Sequence, residues 1–249
     1  MRLPGIVEIE RAGLKAWPGI EVEWDGSWVR RASNGYTQRA NSVQCFDPAD
    51  DGSAVERVAA SRAWFEARGI RPTFRVNPLT GPGLRAALDA AGWVEVDHSQ
   101  LLAMELGPML PDPRGEVFAL DDPDFLLAHQ QVCGYSDERM AKLRALLAVL
   151  EVPAIGIVVR APEGRPVSSA LMAIGDGIVI TGNVATDESL RRKGYASGMM
   201  RTGLAWARAA GAKFAALNVV AGNAPAQALY HRLGYRYQYD YVYRTPGAR

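Results

Sequence analysis

The sequence predicts an α/β fold in two parts, each a mixed, mostly antiparallel sheet flanked by helices. Three observations predict it. In the C-terminal half, strand-like segments joined by short turns give way to alternating strands and helices. A proline-rich seam at residues 107–115 divides the 249-residue chain. The part before the seam matches the part after it at a fixed offset, without a gap.

The seam, Gly107-Pro108-Met109-Leu110-Pro111-Asp112-Pro113-Arg114-Gly115, holds three prolines and two glycines in nine positions. Neither a helix interior nor a central strand tolerates that density. It leaves parts of about 110 and 135 residues, each domain-sized. The expected division is a first domain at 1–107, a linker at 108–116 and a second domain at 117–249.

In the second part, Asp121-Asp122-Pro123 marks a helix start, a capping residue followed by proline in the first turn. Gly134 ends that helix, and Ser136 caps another running to about Leu150. Strand-like runs follow at Ala154–Val159, Val167–Ile174 and Ile178–Ala185, separated by Glu163-Gly164 and Gly175-Asp176-Gly177. Two short links between three strands predict an antiparallel meander. The period then changes. Ala196, Met199, Met200, Gly203, Leu204 and Ala207 recur at helical spacing, and Gly211 stops the helix. Phe214–Val220 reads as a strand, Ala224–Leu233 as a short helix closed by Gly234, and Tyr235–Tyr243 as a strand. Its alternation puts Tyr235, Tyr237, Tyr239, Tyr241 and Tyr243 on one face. A strand–helix–strand–helix–strand order after a meander predicts a mixed sheet with helices on its faces.

The first part reads as a faded copy of the second. At an offset of 142, Gly35 falls on Gly177, Asn41 on Asn183, Gly52 on Gly194 and Ala54 on Ala196. Trp64 likewise falls on Trp206, Gly69 on Gly211, Ala86 on Ala228 and Gly92 on Gly234. The matches gather at helix ends and turns, where glycine has a backbone reason to be.

Composition narrows the function. A formal net charge of +1 gives no global field for nucleic acid or an anionic membrane. No apolar run approaches the roughly 20 residues of a membrane span, and no leader pattern opens the chain. Cys45 and Cys133 form no C-x-x-C pair and are expected as thiols. His98, His129 and His231 make no metal-ligand spacing. The expectation is a cytoplasmic protein, monomer or homodimer, without metal, nucleic-acid or membrane partner.

Arg191-Arg192-Lys193-Gly194-Tyr195-Ala196-Ser197-Gly198 lies between a predicted strand and a predicted helix. The first amides of a helix lack internal partners and carry partial positive charge, so a diphosphate is a natural ligand there. Gly194 and Ala196 leave room for close approach, three cations add neutralising charge, and Gly198 would keep the helix face open for a bulky cofactor. Taken alone, the segment reads first as a solvated basic turn.

The strand ending in Val184-Ala185-Thr186, followed by R-x-x-G-x-A and an amphipathic helix, resembles the acyl-CoA motif of the GNAT acetyltransferase superfamily. Asn223-x-x-Ala226-x-x-Leu229-Tyr230-x-x-x-Gly234-Tyr235 resembles that superfamily's second signature. The resemblance covers residues 117–243; Ala196 departs from it where many relatives carry glycine. It implies acetyl-CoA as acyl donor and N-acetylation of a primary amine, from a small molecule or a peptide, by direct attack. The alternative is a non-catalytic CoA-binding module.

By the same resemblance, backbone groups of Val184, Ala185 and Thr186 would hold the pantetheine arm. The loop from Arg191, Arg192, Lys193, Gly194, Tyr195 and Ala196 to Ser197 would hold the diphosphate. Asn223 would bond the cofactor, cap its helix, or do both. Tyr230 is the expected general acid, and the amide of Val184 or Ala185 the oxyanion donor. Tyr135 lies in the region that covers the acceptor pocket in relatives, and is expected to pack there or to touch the acceptor. The base is open. The strand at 178–186 holds no carboxylate, which leaves Asp187, Glu188, Glu151 or a water relay.

Under the offset, the basic loop becomes Ala49-Asp50-Asp51-Gly52-Ser53-Ala54, Tyr230 becomes Leu88 and Asn223 becomes Gly81. Carboxylates there would repel a diphosphate. The chain thus resembles a tandem GNAT protein whose first half is degenerate and serves as scaffold or helps form the acceptor pocket.

Overall fold

The computed structural model describes residues 2–247. The first part runs α1 (Ile6–Ala16), β1 (Glu21–Asp25), β2 (Trp28–Ala32), a 3-10 turn at Gln38–Ala40, β3 (Val43–Cys45), α2 (Ala54–Glu66), β4 (Phe74–Val76), α3 (Pro82–Ala90) and β5 (Trp93–Glu105). Residues 106–114, which hold all of the proline-rich seam but Gly115, carry neither helix nor strand. The second part runs β6 (Gly115–Phe118), α4 (Pro123–Cys133), α5 (Asp137–Leu147), β7 (Ala154–Arg160), β8 (Pro166–Gly175), β9 (Ile178–Thr186), α6 (Tyr195–Ala209), β10 (Phe214–Val220), α7 (Ala224–Leu233) and β11 (Arg236–Pro246).

Local chemistry sets the ends. The Asp122 side chain accepts from the Asp124 amide to open α4, and Ser136 accepts from the Arg139 amide to open α5. Gly134 and Gly234 close α4 and α7 at φ 63° and 103°, where a side chain would be strained. Shifted by 142, α2, β4, α3 and β5 fall on α6, β10, α7 and β11. Left-handed backbone recurs at the same offset, at Asn34 and Asp176, Gly35 and Gly177, Gly69 and Gly211, and Gly92 and Gly234.

The two expected sheets are observed as one. Among the described residues, eleven strands form a mixed sheet in the order β1-β2-β3-β4-β11-β5-β10-β9-β8-β7-β6. The two parts exchange their last strands. β5 pairs antiparallel with both β10 and β11, while β11 also pairs antiparallel with β4. Each part alone would leave an unpaired edge, and the exchange closes both.

Alternate residues of β8 divide the core between the faces. Ala170, Met172 and Ile174 join the cluster around α6, whereas Leu171 and Ala173 join those of α4, α5 and α1. Helix α1 therefore belongs to the first part in sequence yet rests on β8 and β9 of the second. Its approach is close enough that a Cβ at Gly175 would lie 2.8 Å from the Ala12 carbonyl oxygen.

The tyrosine stripe of β11 does not share one face. Irregularities between Tyr237 and Tyr239, and between Tyr241 and Tyr243, break the alternation. Tyr235 packs with Tyr230 in the α6–α7 cluster, Tyr239 joins the α1 cluster, and Tyr237 is 50% exposed.

Candidate active site

Strand β9 parts from its neighbour at the site. Its parallel pairing with β10 ends at Leu217↔Thr181, while β10 continues along β5. Across from β8 the register passes from Leu171↔Gly182 to Ser169↔Ala185, so β9 carries one extra residue. Asn183 sits there at φ 51°, a bulge that re-aims the backbone of Val184–Thr186. The bulge is anchored on both sides. The Asn183 amide donates to the Tyr36 hydroxyl at 2.7 Å, and the Ser168 hydroxyl donates to the Ala185 carbonyl at 2.9 Å. Asn183–Thr186 border a groove of ≈ 960 Å³ whose other wall is Gln131–Tyr135, and which ends at Asp187–Ser189 and Arg191. That volume matches small-molecule sites.

The basic loop follows. Asp187 accepts from the Ser189 amide at 2.9 Å and pairs with Arg165. Arg191, Arg192, Lys193 and Gly194 are exposed, with Arg192 at φ 63° and Gly194 at φ 84°. Helix α6 begins at Tyr195 with no side-chain cap and no acid in its first turn. The Arg191–Glu188 pair is solvated and worth little. Uncapped amides beside exposed cations suit an anion.

Gly198 has a different role from the expected one. It is buried, and a Cβ there would lie 2.7 Å from Asp112 Oδ2. The face it was expected to leave open for a cofactor is filled by the connecting segment. Asp112 pairs with Arg114 and Arg201, each at 2.9 Å. Hydrogen bonding from Arg114 holds its carboxyl well below the usual range. The Arg114 guanidinium in turn lies 5.2 Å from the Tyr195 ring.

Tyr230 belongs to the apolar cluster on the α6–α7 face of the sheet, against which Val184 and Tyr195 also pack. Tyr230 is 5% exposed, and burial pushes its hydroxyl up to about 12 against an opposing pull from the Arg39 charge. Asn223, at the far end of α7, accepts from the Ala226 amide at 3.2 Å and is exposed. Its capping role is therefore observed.

Tyr135 lines the groove and is also packed. Its ring lies 6.4 Å from that of Tyr36 and 5.9 Å from that of His129, under the Arg139 guanidinium at 4.5 Å. The candidate bases fare poorly. Hydrogen bonds from Ser189 and Arg165 hold Asp187 down to about 2, and Glu188 and Glu151 are exposed.

Arg39, from the first part, carries no mark in the sequence. Its guanidinium stacks 4.9 Å from the Trp17 ring and reaches within 3.5 Å of where a Cβ at Gly182 would lie. No local pattern reveals a contact between residues so far apart. Only the expectation that the first part helps form the pocket pointed towards it.

The first part's counterpart of the loop is closed on itself. The Asp51 carboxylate accepts from the Gly83 amide and, at 2.9 Å, from the Leu84 amide at the start of α3. Asp50 accepts from the Ser27 amide at 2.7 Å and from Arg57 at 2.9 Å. Asp51 thus caps α3, the counterpart of α7, while α2, the counterpart of α6, starts without a side-chain cap and with Glu56 in its first turn.

Among the described residues, no helix is long and apolar enough to cross a membrane, and no cluster of His, Cys, Asp and Glu could hold a metal ion.

A family model described as "Probable histone acetyltransferase Rv0428c C-terminal" matches residues 4–244. The chain is 30% identical over 135 residues to the probable histone acetyltransferase Rv0428c of Mycobacterium tuberculosis, an alignment covering 53% of this chain and 41% of that protein. It is 25% identical over 250 residues to the uncharacterized N-acetyltransferase YobR of Bacillus subtilis, covering 96% and 98% of the two chains. Among solved structures, a GCN5-related N-acetyltransferase from Kribbella flavida superposes with a TM-score of 0.75 at 22% identity, over 99% of this chain and 98% of that one. A tandem GNAT protein from the clavulanic acid biosynthesis pathway superposes with a TM-score of 0.63 at 13% identity, over 99% and 89%.

Proposed function

Since the chain belongs to the Rv0428c C-terminal acetyltransferase family, and so is a GNAT-type acyltransferase, we propose that it binds acetyl-CoA along β9 and acetylates a primary amine by direct attack. One observation carries this reading: the re-aimed backbone of the β9 bulge borders a groove that runs to Arg191, just before the uncapped start of α6.

The residues present fit the cosubstrate. Backbone groups of Val184, Ala185 and Thr186 would hold the pantetheine arm as a neighbouring strand would. Amides of Arg192–Ser197, with the side chains of Arg191, Arg192 and Lys193, would hold the diphosphate. Asn223 would add a contact without giving up its cap. Acetyl-CoA supplies an activated thioester carbonyl. The amide of Val184 or Ala185 donates to that carbonyl oxygen as charge gathers on it. The Tyr230 hydroxyl, protonated at neutral pH, donates its proton to the departing sulfur. With Asp187 held near 2 and no carboxylate within β9, the acceptor's own deprotonated fraction attacks, and the proton its nitrogen sheds on forming the amide replaces, through solvent, the one Tyr230 gave.

We read the architecture as two GNAT-like domains, 1–107 and 117–249, joined by 108–116 and sharing one sheet. Asp50-Asp51 stand in the first domain where the second has Arg192-Lys193. Both cysteines are free, which fits the cytoplasm.

Thiol release from acetyl-CoA with a panel of amines tests the activity. Tyr230→Phe should lower kcat about a hundredfold or more with little change in KM for acetyl-CoA; unchanged turnover refutes the acid assignment. CoA binding without thiol release from any amine would favour the non-catalytic module, the reading suggested by the carboxylate-free β9.

A further inference from the structure

Arg31, Arg39 and Arg75 converge on a cavity of ≈ 30 Å³, lined also by Leu217 and Asn218 where β9 and β10 part. Three cations face one carboxylate there. Glu10, from α1, is tied to Arg75 at 2.8 Å and accepts from the Tyr239 hydroxyl at 2.7 Å. Arg31 is 3% exposed and has only neutral partners. It donates to the Trp17 carbonyl at 2.8 Å and to Gln44 Oε1 at 3.0 Å, and its Nε meets no acceptor. Arg39 stacks on Trp17 and makes no ion pair among the described residues. Arg31 is therefore buried without an ion pair, and Arg39, half-buried, adds a second unpaired charge. A buried cation without a counter-charge is costly, and an anion placed among such groups removes that cost.

The position ties this cavity to the reaction. Arg39 lies against Gly182, two residues before Val184, the proposed oxyanion donor, and its charge reaches Tyr230. The volume holds about two water-sized groups, the size of a carboxylate's oxygen pair and too small for the four oxygens of a phosphate. Guanidinium forks match that planar pair.

We propose that the cavity receives a carboxylate of the acceptor, so that the substrates are amines that also carry a carboxylate: amino acids or ω-amino acids. This rests on the transferase reading above. The like charge of Arg31 and Arg39 would disfavour ammonium groups that bring no carboxylate of their own.

The test uses the full chain with two matched series, ω-amino carboxylates of two to six carbons and n-alkylamines of the same lengths. Two readouts are taken: thiol release from acetyl-CoA, and binding by calorimetry with CoA present. The carboxylate series should show at least tenfold higher kcat/KM and tighter binding. In Arg39→Met that preference should fall towards one, and in Arg39→Lys most of it should remain. Equal kcat/KM for the two series, or a preference untouched by Arg39→Met, overturns the proposal while leaving the transferase reading intact. If neither series is acetylated but the carboxylates bind in an Arg39-dependent way, the cavity assignment stands and the transferase reading falls. If the carboxylates neither bind nor react, the proposal is overturned.

Discussion

His129 should make this protein acid-sensitive in a defined window. The side chain projects from α4 and is fully buried, with Nδ1 2.8 Å from the Ser169 hydroxyl. Burial pushes its pKa from 6.5 down to about 4. Between those values the unfolded chain binds a proton that the folded chain refuses. The neutral ring's contribution is therefore complete above pH 6.5, is lost as pH falls towards 4, and changes no further below that. A displacement of about 2.5 units at 1.36 kcal/mol each amounts to about 3 kcal/mol. His129→Gln keeps a hydrogen-bonding group and removes the titration. Urea unfolding of both proteins at several pH values from 7.5 to 4 isolates the effect, because every other titrating group is shared. Wild type should lose about 3 kcal/mol more than the variant over that range. Parallel profiles would refute the reasoning. The groove should feel the same change, since Cys133 and Tyr135, which line it, both contact the His129 ring.

Three further outcomes are expected. Gly198→Ala puts a methyl 2.7 Å from Asp112 Oδ2 and should cost about 1–3 kcal/mol in urea unfolding; no loss would remove the packing role given to this glycine. Asn223→Ala should lose about 1 kcal/mol of stability with its cap and also weaken acetyl-CoA binding by calorimetry. Asn223→Asp should restore the stability but not the affinity, and wild-type affinity in that variant would reduce Asn223 to a cap alone. For an alkylamine acceptor of pKa about 10.4, kcat/KM should rise tenfold per pH unit up to about pH 10 as the amine deprotonates. Tyr230, held near 12, keeps its proton throughout, so a falling limb at pH 8–9 would exclude it as the acid.

What the sequence revealed follows from the range of the forces involved. Caps, turn glycines and the change from strand to helical period act within a few residues, and α4, α7, β7 to β10 and the 142-residue offset were legible from them. Alternation reports that a side chain is buried, but not against what. The exchange of β5 and β11, the irregularities that scatter the tyrosines of β11, and the placing of Arg39 beside Gly182 are long-range outcomes without a local signal. Gly198 shows the same limit from the other side: its smallness was visible, but Asp112, the neighbour that requires it, lies 86 positions earlier in the chain.

The two loops related by the offset show how the readings combine. From sequence, Asp50-Asp51 in place of Arg192-Lys193 signified repulsion of a phosphate. The geometry adds that Asp51 crosses to α3 and satisfies amides there. Helix amides need an acceptor whatever its source, and α3 finds one in Asp51 as its counterpart α7 does in Asn223. Helix α6 has no side-chain cap, no acid in its first turn and three exposed cations before it. Helix α2, the counterpart of α6, likewise starts without a side-chain cap, but it carries Glu56 in its first turn and Asp50-Asp51 before it. The reversal of charge between these two starts, rather than a cap, is what supports anion binding at Arg191–Ser197.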